Sequence, residues 1–288
     1  MKNALTLALA AGLALSSASA QRNLAAVKVT SQEVRPGLHV IYGAGGNIGL
    51  HFGEEAVFLI DDQYAPLTDK IIAKVDELAG APVDFVLNTH YHGDHTGGNE
   101  NHGKAGALVI GHDNVRVRVL SDNKAPGDAP VITFSETQTL HINGETVKAI
   151  HLANAHTDGD SIVHFKEANV IHGGDLLFEV ALGSFPYIDL PGGGNINGAI
   201  DAVGTIIALS NEDTIIIPGH GNLMDRGGVE DYRAMLVDVR DRVQSMIDRG
   251  RSREQIIKAR PAKAYIKGRE DGFIKEDRFV GFVYDSLI

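Results

Sequence analysis

Residues 89–98 read Thr89-His90-Tyr91-His92-Gly93-Asp94-His95-Thr96-Gly97-Gly98 and set His90, His92, Asp94 and His95, four potential metal ligands, within six positions. Val83 to Leu87, just upstream, is an apolar run that reads as a strand delivering Asn88-Thr89-His90. In extended backbone, residues two apart project to one side, so His90 and His92 can approach the same ion at about 2.0–2.1 Å. Gly93 permits a sharp turn, beyond which Asp94 and His95 can face a second ion roughly 3.5–4 Å from the first. A solvated histidine-rich loop would explain neither the strand before this stretch nor the glycines after it.

Outward from that loop, the chain alternates strand and helix signals. Leu38 to Tyr42, Ile48 to Phe52 and Ala56 to Ile60 are short apolar or alternating runs punctuated by Gly43, Gly45-Gly46 and Gly53. Thr68 to Leu78 carries Ile71, Ile72, Val75 and Leu78 at helical spacing. Further strands are expected at Leu108 to Ile110, Ile132 to Phe134, Glu136 to Ile142, Thr146 to Leu152, Ser161 to Phe165, Val170 to Ile171 and Thr214 to Ile217. The clearest helix runs from about Val229 to Arg249, with Tyr232, Met235, Leu236, Val239 and Val243 on one stripe that reads as core packing. Strands in both halves, interrupted by helices, imply an α/β fold of two packed sheets with helices outside.

Composition narrows the chemistry. The 288 residues are 43% hydrophobic and 22% charged, ordinary values for a globular chain. With 26 Lys+Arg against 37 Asp+Glu, the formal charge of −11 repels phosphate backbones, so no nucleic-acid partner is expected. There is no cysteine, which excludes disulfides, thiolate nucleophiles and thiolate-bound metals, and leaves nitrogen and oxygen as metal donors. Residues 1–20 read as a secretory leader, with Lys2 before the apolar Ala4 to Leu15 and Ala18-Ser19-Ala20 as the cleavage signal. The apolar stretch is too short for a membrane anchor. The expected mature domain is therefore 21–288, periplasmic or secreted, without a membrane partner once the leader is removed.

The histidine loop resembles the metallo-β-lactamase fold superfamily, whose H-x-H-x-D-H motif it matches at all four ligand positions. The likeness continues in order along the chain. Val57-Phe58-Leu59-Ile60-Asp61 resembles the first motif, Ala155 to Ser161 around His156 the next histidine element, Gly174-Asp175 the G-D motif, and Pro218-Gly219-His220-Gly221 the terminal P-G-H-G. The resemblance implies an αββα sandwich of two mixed sheets. It further implies that His90, His92 and His156 hold a first zinc and that Asp94, His95 and His220 hold a second. Asp175 would bridge the pair or bind the second, and Asp61 would support the loop without touching metal. Zinc suits the two-histidine start, with iron or manganese as alternatives.

The same resemblance implies a hydrolase acting on a small molecule through a metal-activated hydroxide, with Asp94 orienting it. The substrate bond would be an ester, thioester, lactone or amide, the strained amide of a β-lactam included. Two departures bear on that choice. The β-lactamases of the first subclass carry a cysteine where Asp175 stands and a lysine where Phe178 stands, whereas thioesterases of the glyoxalase II type and lactonases carry the aspartate. Export would place the chain where β-lactams act, so a dedicated periplasmic metallo-β-lactamase is one alternative reading; a non-catalytic zinc-binding protein is the second. Of the other histidines, His51 and His112 are expected nearest the cleft. Asp160 is expected to orient the His156 loop. Gly43 to Leu50 is expected as a flexible hairpin beside the site, and Ala181 to Asn197 as a second wall.

Overall fold

The computed structural model describes residues 24–121 and 126–288, so the leader read over residues 1–20 lies outside the described residues. The first sheet keeps chain order: β1 (Thr30–Arg35), β2 (Leu38–Tyr42), β3 (Ile48–Phe52), β4 (Val57–Ile60), β5 (Phe85–Leu87), β6 (Leu108–His112) and β7 (Ile132–Phe134). It is antiparallel from β1 to β4 and parallel from β4 to β7. The second sheet contains β8 (Thr137–Ile142), β9 (Glu145–His151), β10 (Ser161–Phe165), β11 (Val170–Phe178) and β12 (Ile215–His220), in the order β12-β11-β10-β9-β8. Its one parallel pair is β11 with β12.

Side-chain alternation turns these sheets into layers. On β4, Phe58 and Ile60 face the second sheet and share a buried cluster with Val163 and Phe165 of β10. Their neighbours Val57 and Leu59 face outward, onto Ile71 and Val75 of helix α1 (Thr68–Ala79). Short helices α2 (Gly93–Thr96), α3 (Asn99–Lys104) and α4 (Asp113–Ser121) follow β5 and β6. The outer face of the second sheet is covered by α5 (Ile196–Leu209), α6 (Arg226–Ile247), α7 (Arg253–Ala259) and α8 (Glu276–Asp285). This is the expected α/β sandwich of two mixed sheets with helices outside. The α6 stripe buries Tyr232, Met235, Leu236, Val239 and Val243 against that sheet, at about 1.5–3 kcal/mol for each large apolar side chain removed from water.

Several elements differ from their sequence reading. Val170 to Ile171 is the start of a nine-residue strand, every residue of which is buried. The glycine pair 173–174 hides this by resembling a strand end. Helix α5 is not among the expected elements: its high apolar content masks a narrow polar stripe of Asn197, Asp201 and Thr205 at i, i+4 and i+8. Strand β1 and helices α4, α7 and α8 were also unforeseen. Among the described residues, no helix is long and apolar enough to cross a membrane.

Candidate metal centre

The motif residues converge at one end of the sandwich, most of them at or near a strand end and Asp175 within a long strand. Asp61 follows β4, His90 follows β5, His156 precedes β10, Asp175 lies in β11 and His220 closes β12. The register of β11 against β12 shifts at Gly174, where φ is 52°. A Cβ at that position would stand 2.8 Å from Thr89 Cβ and Oγ1, so glycine lets β11 pass beneath the histidine loop and presents Asp175 to it.

Two groups of donor atoms result. His90, His92, His156 and Asp175 form one, and Asp94, His95 and His220 the other; within each group the atoms lie within 4.8 Å of one another. His92 Nδ1 is 3.1 Å from His90 Nε2 and 3.0 Å from His156 Nε2. Asp175 stands between the groups. Its Oδ2 lies 3.8 Å from His90 Nε2 and 3.6 Å from His156 Nε2, while Oδ1 lies 3.1 Å from His95 Nε2 and 3.4 Å from His220 Nε2. Asp94 Oδ2 is 3.4 Å from His220 Nε2 and 3.7 Å from His95 Nε2. All seven residues singled out as ligands from the sequence are thus brought together.

Hydrogen bonds outside the cluster fix how the imidazoles point. His156 Nδ1 donates to the Tyr187 carbonyl at 2.7 Å, His92 Nε2 to Asp189 Oδ2 at 3.0 Å and His95 Nδ1 to Asp61 Oδ2 at 2.7 Å. In neutral imidazoles each opposite nitrogen is then a lone pair, so His92 Nδ1 and His156 Nε2 face each other with no proton between them. Asp175 Oδ1 is buried without a hydrogen bond. Tetrahedral coordination at about 2.0–2.1 Å sets neighbouring donors roughly 3.3 Å apart, close to the separations seen here. Lone pairs converging at that spacing on an orphaned carboxylate oxygen fit divalent cations with nitrogen and oxygen ligands.

Electrostatics divide the donors: His90 and His156 are kept neutral, whereas the carboxylates beside His95 and His220 outweigh burial and draw both toward the charged form, where a bound cation would take the proton's place. Burial, reinforced by His95, holds His90 well below the usual imidazole range, and burial with the neighbouring His92 lowers His156 to about 4. Burial opposes the charge of His220 as well, but Asp175 and Asp94 outweigh it and raise His220 to about 9. Asp94 is likewise opposed by burial, and His95 and His220 bring it down to about 2.

The supporting carboxylates differ in how visible they were. Asp61, expected to support the loop, accepts from Thr89 N at 2.7 Å and Thr89 Oγ1 at 2.8 Å as well as from His95. It holds a φ of 63°, an uncommon conformation maintained here by those bonds. Asp160 accepts from His156 N at 2.6 Å and Thr157 N at 2.8 Å, pinning the His156 turn. Asp189 escaped the sequence reading. It lies in an irregular stretch with no motif, yet it holds His92 and accepts from the Tyr91 and Tyr187 hydroxyls.

A cleft of about 730 Å³ opens over the donors, lined by His92, Asp94, Asp175 and His220 at its floor. Gly43 and Gly45 form part of its edge, and Leu182, Ser184 and Tyr187 supply the second expected wall. The glycine segment is tethered rather than free: Gly46 N donates to the Asp94 carbonyl, Asn47 N to the Gly219 carbonyl, and Asn47 Nδ2 to the Pro218 and Gly221 carbonyls. His51 and His112 stand apart from the cleft. His51 packs on Phe165 between the sheets, and His112 stacks on His151 at 3.6 Å. Both are strand residues whose side chains alternate into packed surfaces, a direction that proximity in sequence does not reveal.

Residues 42–240 match the sequence profile of the metallo-beta-lactamase superfamily, and the chain belongs to that family. A hydroxyacylglutathione hydrolase of Polaromonas sp. is 29% identical over 159 residues, 54% of this chain and 55% of that protein. An atrochrysone carboxyl ACP thioesterase of Aspergillus terreus is 26% identical over 123 residues, 43% of this chain and 35% of that one. The chain thus spans about half the length, or less, of these curated relatives. Among solved structures, a metallo-beta-lactamase from Pontibacter korlensis superposes with a TM-score of 0.64 at 16% identity, covering 73% of this chain and 100% of that one. The similarity to that structure is one of fold.

Proposed function

We propose that the protein is a hydrolase of esters, thioesters or lactones that works with two zinc ions per chain. His90, His92 and His156 hold one ion, Asp94, His95 and His220 the other, and Asp175 is shared. The observation that carries this reading is Asp175, whose two oxygens face the two groups of imidazoles separately. When bound, such ions polarise a carbonyl and make water nucleophilic at neutral pH.

The chain's own residues supply placement and proton handling. Asp94, kept ionised, accepts a hydrogen bond from the attacking water and so orients it toward the acyl carbon. Ser184, whose hydroxyl donates to the Phe185 carbonyl at 2.9 Å and accepts from Ile274 N at 2.9 Å, is engaged structurally and does not act as a nucleophile. The Asp189 and Asp61 carboxylates keep His92 and His95 in the tautomers that aim lone pairs inward. Two observations favour an ester, thioester or lactone over a β-lactam. The relatives named above are a hydroxyacylglutathione hydrolase and a thioesterase. No Lys or Arg among the described residues lines the cleft to receive the carboxylate of a β-lactam.

The test is turnover by zinc-loaded protein of a panel containing a thioester, an aryl ester, a lactone, a penicillin, a carbapenem and a phosphodiester. Thioester, ester or lactone hydrolysis is expected to dominate, and Asp94→Asn to lower kcat on the order of 10²-fold while much of the metal is retained. Near-normal turnover by that variant, with metal retained, would remove Asp94 from the mechanism. Export belongs to the same proposal: N-terminal sequencing of the secreted protein should begin at Gln21.

A further inference from the structure

Above its polar floor the cleft changes character. Its walls are Tyr64, Phe178, Leu182, Tyr187, Phe273 and Ile274. Three of these are large apolar or aromatic side chains left open to solvent: Phe273 is 75% exposed, and Tyr64 and Leu182 are each 37% exposed. Isolated exposed apolar residues need no explanation, but several on one cavity mark a binding surface.

The walls begin on the metal ligands themselves. The Tyr187 ring stacks on His92 at 5.7 Å and 20°, and the Phe178 ring stacks on His220 at 5.5 Å and 17°. A group extending from a carbonyl at the floor would therefore meet aromatic rings directly beside the donors, with Phe273 on the same cleft. That outer residue is held in place on both sides. Gly272 N donates to the Gly183 carbonyl at 2.6 Å, Phe185 N to the Ile274 carbonyl at 3.0 Å, and Ile274 N to Ser184 Oγ at 2.9 Å. A Cβ on Gly272 would lie 2.3 Å from the Gly183 oxygen, so this close seam requires glycine. The Arg278 guanidinium lies against the rings of Phe273, Tyr187 and Phe282 at 4.9, 5.7 and 5.4 Å and ties them together. Phe273, Ile274 and Arg278 all lie beyond residues 42–240, the part of the chain that matches the family profile.

We infer that the substrate carries an extended apolar acyl group, and that Phe273 sets this preference. The inference rests on the hydrolase reading for its chemistry, and of the two groups that extend from the reacting carbonyl it assigns the wall to the acyl chain and not to the alcohol or thiol.

The experiment compares acetyl, butanoyl and octanoyl esters of one phenol as substrates of zinc-loaded protein, alongside calorimetric titration with butanoate and octanoate. At about threefold to fourfold per buried methylene, the six added methylenes should raise kcat/KM on the order of 10³-fold from acetyl to octanoyl. Phe273→Ala should lower the octanoyl-to-acetyl ratio about tenfold, chiefly through KM, and Gly272→Ala should lower it by displacing the same ring. Val131→Ala, at another exposed apolar position away from the cleft, serves as the surface control. Octanoate should bind at least tenfold more tightly than butanoate, with the gain lost in Phe273→Ala. A ratio that Phe273→Ala leaves unchanged, or a preference for acetyl, overturns the acyl-wall inference while leaving hydrolysis intact. Absence of turnover combined with Phe273-dependent octanoate binding overturns the hydrolase reading and retains the wall.

Discussion

His95 is completely buried and bonded to Asp61 at the floor of the cleft, whereas Phe273 stands 75% exposed at its rim, against Arg278. The floor is an assembly of polar groups in which His92, His95 and His156 are each oriented by a carboxylate or carbonyl behind them. The wall is an assembly of rings held by stacking, one cation and a backbone seam. Errors at the floor strand lone pairs and charge in a low-dielectric site, which is costly. Errors at the wall remove contact area, whose cost grows gradually with the atoms lost. Substitutions on the two sides should therefore differ in size and in the measurement that detects them.

The largest effect is expected at Asp175, where one side chain serves both groups of donors. Asp175→Ala should reduce bound zinc from about two equivalents per chain to one or fewer and lower kcat/KM on the order of 10³-fold, read by elemental analysis and turnover. An unchanged metal content would mean that the floor is not one connected unit. Behind the ligands, Asp189→Asn and Asp61→Asn should each cost about 10- to 100-fold in zinc affinity or turnover, because an amide can present its NH₂ to the imidazole and reverse the tautomer. Competition with a zinc-sensitive dye would measure this. If Asp189→Asn matches the wild type, His92 is held by its ring contacts with Tyr91 and Tyr187 instead. The smallest effect belongs where wall and floor meet. Tyr187→Phe keeps the ring on His92 and deletes only the hydroxyl that reaches Asp189 at 3.1 Å, so a loss of about fivefold in kcat/KM is expected. A loss on the scale of Asp175→Ala would place the hydroxyl with the floor.

The floor was legible in two ways. His90, His92, Asp94 and His95 are chemically uncommon and occupy one short loop, whereas His156, Asp175 and His220 were placed by the resemblance of their short motifs to a known family. Asp189 was not legible, because a lone carboxylate in an irregular segment has no spacing to betray its partner. The wall was half legible: the segment carrying Tyr187 could be placed beside the cleft, but nothing in Gly272-Phe273-Ile274 indicates that it runs against Gly183 and Ser184. The glycine segment beside the cleft misled in the other direction. Its composition reads as flexible, while Asn47 bonds three carbonyls around His220 and fixes it.

By itself the sequence determined the two-sheet sandwich, the strand ends that carry ligands and the nitrogen and oxygen donor set. Periodicity, glycine punctuation and the absence of cysteine are local or compositional properties, and local chemistry is sufficient to express them. Tertiary structure alone decided that Asp175 turns one oxygen to each imidazole group, that Asp189 orients His92, and that a segment about a hundred residues beyond the G-D motif closes the cleft with Phe273. Each of these joins parts of the chain far apart in sequence, and such contacts depend on how the layers pack and where β11 bends at Gly174, which no single stretch of residues encodes.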